Sequence, residues 1–174
     1  SAYAAGTVAD GSQGAIIRGN DVQASGVNST AIGDGTEATG DYTTAMGYQS
    51  QASGKYSTAI GFRTEATIDF AMALGRNAKA TGYASTALGD GTVASGQYST
   101  AMCEYTIASG DRSVAMGWKT IAKEECSTAM GCQTEATAWY STAMGYQTKA
   151  TEYYAIAMGA NTTSSGDAST AMGY

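Results

Sequence analysis

Every fourteenth residue from Ile32 to Met172 is Ile, Leu or Met, and each is preceded by Ala. The column runs Ile32, Met46, Ile60, Leu74, Leu88, Met102, Met116, Met130, Met144, Met158, Met172 without a slip. A helical-hairpin repeat takes about thirty residues or more, so this shorter period suits one turn of a β-solenoid. Each coil then carries two short strands, the "STAMG" and "TEATG" segments, joined by two tight turns. Gly40, Gly54, Gly82, Gly96, Gly110 and Gly166 are expected to supply left-handed backbone at one turn, although Ile68, Glu124, Ala138 and Glu152 stand there in other coils. Each coil adds one strand to each of two parallel sheets at a spacing of about 4.8 Å, so about twelve coils make a rod roughly 55–60 Å long.

Residues 1–174 read as one all-β domain, with a degenerate N-terminal capping coil over 1–20 and regular 14-residue coils over 21–174. "NDVQASG" (20–26) matches "DGTEATG" (34–40), and "GTVADG" (6–11) matches "GTVASG" (91–96). End repeats of solenoids are often atypical because they cap the stack. The chain opens at Ser1 and stops at Tyr174 inside a repeat, which reads as a fragment or a processed product.

The two-residue period of a strand sorts side chains by face. The apolar Met46 column is expected inside as the core. Thr44 shares its parity, with Met72, Val114 and Ile156 as equivalents. In the second strand Glu37, Glu65, Lys79, Glu135 and Lys149 mark the solvent side, which places Thr36 and Ala38 inside. On this assignment Ala45, Ala59, Ala73, Ala87, Ala101, Ala115, Ala129, Ala143 and Ala157 point outward beside Ser57 and Gly61. They would form a flat, uncharged face against which something packs closely, a candidate interface. A plainer reading is that small residues there ease coil stacking.

The chain has 174 residues, 23 Gly, no Pro, no His and a formal net charge of −6. Without His the commonest general base and metal ligand are both missing, which points away from catalysis and from a cofactor. The acidic balance argues against nucleic acid, which needs a basic stripe. No apolar run is long enough to span a membrane as a helix, so no direct insertion is expected of this segment.

"STAMGYQTKAT" and "STALGDGTVASG" resemble the 14-residue head repeat of trimeric autotransporter adhesins, the YadA-like head, from about Asp21 to Tyr174. The resemblance implies a left-handed parallel β-roll, a homotrimer of three parallel rolls, and display on a cell or particle surface. It also implies adhesion to matrix proteins, host cells or other macromolecular ligands. Met where the family usually has Ile, and Thr where Val is common, depart from its pattern.

Two aromatic ladders are candidate contacts for a protein or glycan ligand: Tyr42, Tyr56, Phe70, Tyr98, Tyr140 and Tyr154 before the first strand, and Tyr48, Phe62, Trp118 and Tyr146 after it. The alternative is that these rings pack on one another at the corners. Cys103, Cys126 and Cys132 are too far apart for an intrachain disulfide, since Cys126 and Cys132 flank one extended strand. Free thiols are expected. Two further readings are an ice-binding solenoid, which needs an outward charge-free Thr array that Glu and Lys interrupt here, and a purely structural fibre module.

Overall fold

The computed structural model describes residues 14–174; the "GTVADG" copy and most of the expected capping coil lie outside them. Twelve long strands, from Ile16–Asn20 to Thr170–Gly173, form one sheet, and eleven two-residue strands, from Gln23–Ala24 to Thr163–Ser164, form the other. All pairs are parallel and join strands one coil apart. Thr44, Ala45, Met46, Gly47 and Tyr48 pair with Thr58, Ala59, Ile60, Gly61 and Phe62. Every residue therefore lies on its own equivalent in the next coil, and a 14-residue parallel β-solenoid results, as the period predicts. The corners continue the ladder: the Tyr56 N–H donates to Asp41 O (3.0 Å) and the Arg63 N–H to Tyr48 O (2.8 Å). Backbone groups are thus paired in the turns as well as in the sheets, which a chain with so little apolar bulk requires.

The first sheet is the reverse of what its apolar column suggests. Ala45, Ala59, Ala73, Ala87, Ala101, Ala115, Ala129, Ala143 and Ala157 are fully buried. They line the interior and are unavailable as an interface. Ser57 is likewise buried, so the expected Ser-Ala-Gly outer face does not exist. The column Ile32, Met46, Ile60, Leu74, Leu88, Met102, Met116, Met130, Met144, Met158 and Met172 is not the core but stands on the outer face, half-buried to exposed. The second sheet follows expectation, with Thr36 and Ala38 inside and Glu37 outward. Sheets that pack through large side chains sit about 10 Å apart. A coil closed by a five-residue and a two-residue strand leaves little room between its walls: from Ser29 onward every buried side chain is Ala, Ser or Thr, and only the first coil holds the larger Val22 and Ile17. The interior is correspondingly polar. Ser29 and Thr43 donate hydroxyls to Gly26 O and Gly40 O (both 2.7 Å), whereas the buried Thr36, Thr64 and Thr92 hydroxyls have no protein partner.

The left-handed backbone also lies elsewhere than expected. It falls at Tyr42 (φ 59°), Gly47 (φ 114°), Gln49 (φ 48°) and their equivalents in the other coils. Gly54 is glycine for another reason: a Cβ there would sit 2.0 Å from the Ile68 carbonyl carbon of the next coil, while the column carries side chains at Ile68, Glu124, Ala138 and Glu152. The Gly47 column meets both constraints. At Gly131, φ is 126° and a Cβ would lie 2.0 Å from Gly145 O. Cys103 alone breaks this column among the described residues, at φ 86°. Gly131→Ala is expected to lower the melting temperature by roughly 2–12 °C through about 1–3 kcal/mol of strain. Cys103→Gly should raise it, and thermal unfolding followed by circular dichroism reads both.

Candidate functional site

Because the Ala column fills the interior, the parity of the strand turns the large aliphatics outward. They form one stripe along the long-strand sheet. Ten spacings between its eleven residues, from Ile32 to Met172, make it about 48 Å long; the first strand carries Arg18 at this position. The Thr44 column widens it where Met72 (44% exposed), Val114 and Ile156 replace Thr. Contiguous exposed apolar patches are the kind of surface that interaction faces are built from, and this stripe is half-buried to exposed along its length. The Met-rich half, from Met102 to Met172, is flexible and polarisable, so it adapts to a facing surface.

The aromatic columns border this stripe, and their geometry limits what they can bind. Tyr56 stacks between Tyr42 (5.0 Å, 8°) and Phe70 (5.2 Å, 13°), and Tyr48 stacks on Phe62 (5.1 Å, 11°). Tyr140 and Tyr154 repeat the arrangement at 5.0 Å. Tyr98 meets Tyr83 edge-on, Lys119 lies 4.5 Å over Trp118, and Tyr146 is exposed. Rings stacked in register use their faces on one another and present edges and hydroxyls to solvent. A sugar that stacks on an open ring face has little to meet along such a ladder. The ladders instead bridge consecutive corners.

The outer face of the short-strand sheet is charged and locally neutralised. Lys79 pairs with Glu65 (2.8 Å), Lys149 with Glu135 (3.1 Å), and Gln51 donates to Glu37 (2.8 Å). Exposed pairs of this kind contribute up to about 1 kcal/mol each. Val93, Ile107 and Ile121 interrupt the column in three successive coils. Neither pattern is the uniform Thr array that an ice-binding face requires.

Cys103, Cys126 and Cys132 are free, the first exposed and the others half-buried. Among the described residues no group of three His, Cys, Asp or Glu side chains is arranged to hold a metal ion. Trp139 and Tyr153, absent from both expected ladders, form a separate aromatic corner together with Tyr140 and Tyr154. Their signal in the sequence is a substitution: they occupy the position held by Asp41, Asp69 and Asp111 in other coils.

A family model described as the YadA head domain repeat, in two copies, matches residues 24–50, 38–64, 52–78, 69–92, 80–102, 108–131, 136–162 and 150–174. The intervals between these matches hold Cys103, which replaces a Gly, and Cys132, which stands between Trp118 and Tyr146 in its column. No curated protein matches the chain.

Proposed function

This chain belongs to the YadA head-repeat family, and from that premise we propose that it is the head segment of a trimeric surface adhesin. Three copies pack in parallel through the Ile, Leu and Met stripe of their long-strand sheets. The short-strand sheets and the corners then face outward, on the surface of a cell or particle, toward matrix or cell-surface ligands. The protein binds and does not catalyse. Its strength comes from repetition, because identical weak contacts on a rigid rod add through effective concentration.

The observation that carries this reading is the unbroken aliphatic column from Ile32 to Met172 on the outside of a coil whose own interior is already filled by Ala. Burying a half-exposed Met or Leu contributes on the order of 1 kcal/mol, and the column offers eleven such residues per chain. Solution mass by light scattering at micromolar concentration tests it. A mass three times the 17.6 kDa of the chain is expected; a monomer would refute the trimer and with it the role of the stripe.

A further inference from the structure

At the corner that leads into the long strand, an Asp in three of the coils caps the coil before it. Asp41, Asp69 and Asp111 accept from the backbone N–H groups of Val27 (3.0 Å), Lys55 (2.8 Å) and Gln97 (2.9 Å). In two neighbouring coils this Asp is replaced by Trp139 and Tyr153, and the adjoining Gly by Ala138 and Glu152. A recess of about 530 Å³ opens there, bounded chiefly by Glu124, Trp139, Glu152, Tyr153 and Asp167. We propose that this recess is a binding site for a cationic side chain, the arginine guanidinium of a protein partner, held against the Trp139 and Tyr153 rings and by the Glu152 and Asp167 carboxylates.

The aromatic walls differ from the ladders. Trp139 and Tyr153 are 6.0 Å apart and tilted by 33°, so they form a wedge, where the Tyr140–Tyr154 pair is nearly parallel at 12°. Both rings are exposed, at 46% and 40%. Both are also held in place. The Trp139 Nε1–H donates to Glu124 Oε2 (2.9 Å), and Tyr153 is wedged edge-on against Tyr154 (4.7 Å) and Tyr140 (5.8 Å).

The charge decides the ligand. Among the described residues the ion pairs are Lys55–Asp41, Arg76–Asp90, Lys79–Glu65, Arg112–Glu125 and Lys149–Glu135. Glu124, Glu152 and Asp167 take part in none of them, and no Lys or Arg lines the recess. Arg112 is engaged by Glu125 at 2.8 Å, and Lys123, which precedes Glu124 in the chain, is exposed and outside the lining. The Tyr140 phenol is pushed above its usual range, first by the Glu125 charge, in keeping with a negative field at this corner. These carboxylates do not converge on a point that would suit a metal ion. A guanidinium is larger and planar, stacks on aromatic faces and pairs with carboxylates through two parallel N–H groups. The site is built within one chain and does not depend on the trimer.

The test titrates the ¹⁵N-labelled full chain with acetyl-Gly-Arg-Gly-amide and follows the two indole N–H resonances. Trp118, in a different column beneath Lys119, serves as the internal control. The Trp139 resonance is expected to shift saturably while that of Trp118 stays in place. The citrulline peptide, of the same shape but neutral, should bind about ten-fold more weakly. Glu152 and Asp167 are exposed, so Glu152→Gln with Asp167→Asn should preserve the melting curve and weaken arginine binding by about ten-fold. Equal shifts with the citrulline peptide in the wild-type chain would overturn the proposal. Arginine binding undiminished in the double variant, or equal movement of Trp118, would do the same.

Discussion

Ala115→Arg is expected to unfold the middle of the solenoid. Its methyl is fully buried and lies in register between those of Ala101 and Ala129. The two walls leave no volume for a guanidinium, and the Ser and Thr hydroxyls around it offer no compensating charge. Burying an unpaired cation and overpacking a close-fitted interior are among the few mechanisms that cost more than about 4–5 kcal/mol. In a solenoid each coil is held mainly by its neighbours, so the damage should spread to the coils on either side. Far-UV circular dichroism with thermal melting should show lost β signal or a strongly lowered transition. A variant that melts like wild type but loses its oligomeric state would put Ala115 on the outside.

The complementary substitution should separate folding from assembly. Met102→Glu, Met130→Glu and Met158→Glu together place carboxylates in alternate coils, about 9–10 Å apart and so partly screened from one another at ordinary salt. Within a single chain these side chains stand on a half-buried to exposed face and remain in water. In a trimer packed through that face nine carboxylates would be enclosed, at several kcal/mol each. The expected result is a folded β-solenoid whose mass falls from three chains to one, 17.6 kDa. Loss of the β signal would mean that Met belongs inside; an unchanged mass would mean that the stripe is not the interface.

The two variants turn on the one assignment the sequence left open. Alternation along "TAMGY" ties Thr44, Met46 and Tyr48 to one side and Ala45 to the other, but parity carries no sign. A large apolar column reads as core, and an invariant small one reads as a packed surface. The deciding clue lay one step further along the strand. Arg76, Asp90 and Glu104 occupy the Tyr48 column, and charged residues of the same parity as Met46 place that whole set in solvent. In the second strand the charged Glu37 column stood beside the assignment from the outset, and there inside and outside agree with the structure. The turns went astray for a similar reason: glycine signals either a left-handed φ or a close approach, and Gly54 is the second kind.

The aromatic corner shows a further limit. Trp139 and Tyr153 interrupt the repeat, while a search by period rewards residues that obey it. Their function depends on ring tilt and on which carboxylates remain unpaired, and neither is written in spacing.

Periodicity was enough to specify a parallel β-solenoid of 14-residue coils, its register and the solvent side of its short strands, because each coil must pair with a copy of itself. Which wall of the long strand faces in depended on the distance between the two sheets. That distance follows from closing a five-residue and a two-residue strand into one coil, and it admits Ala where a wider roll would hold Met.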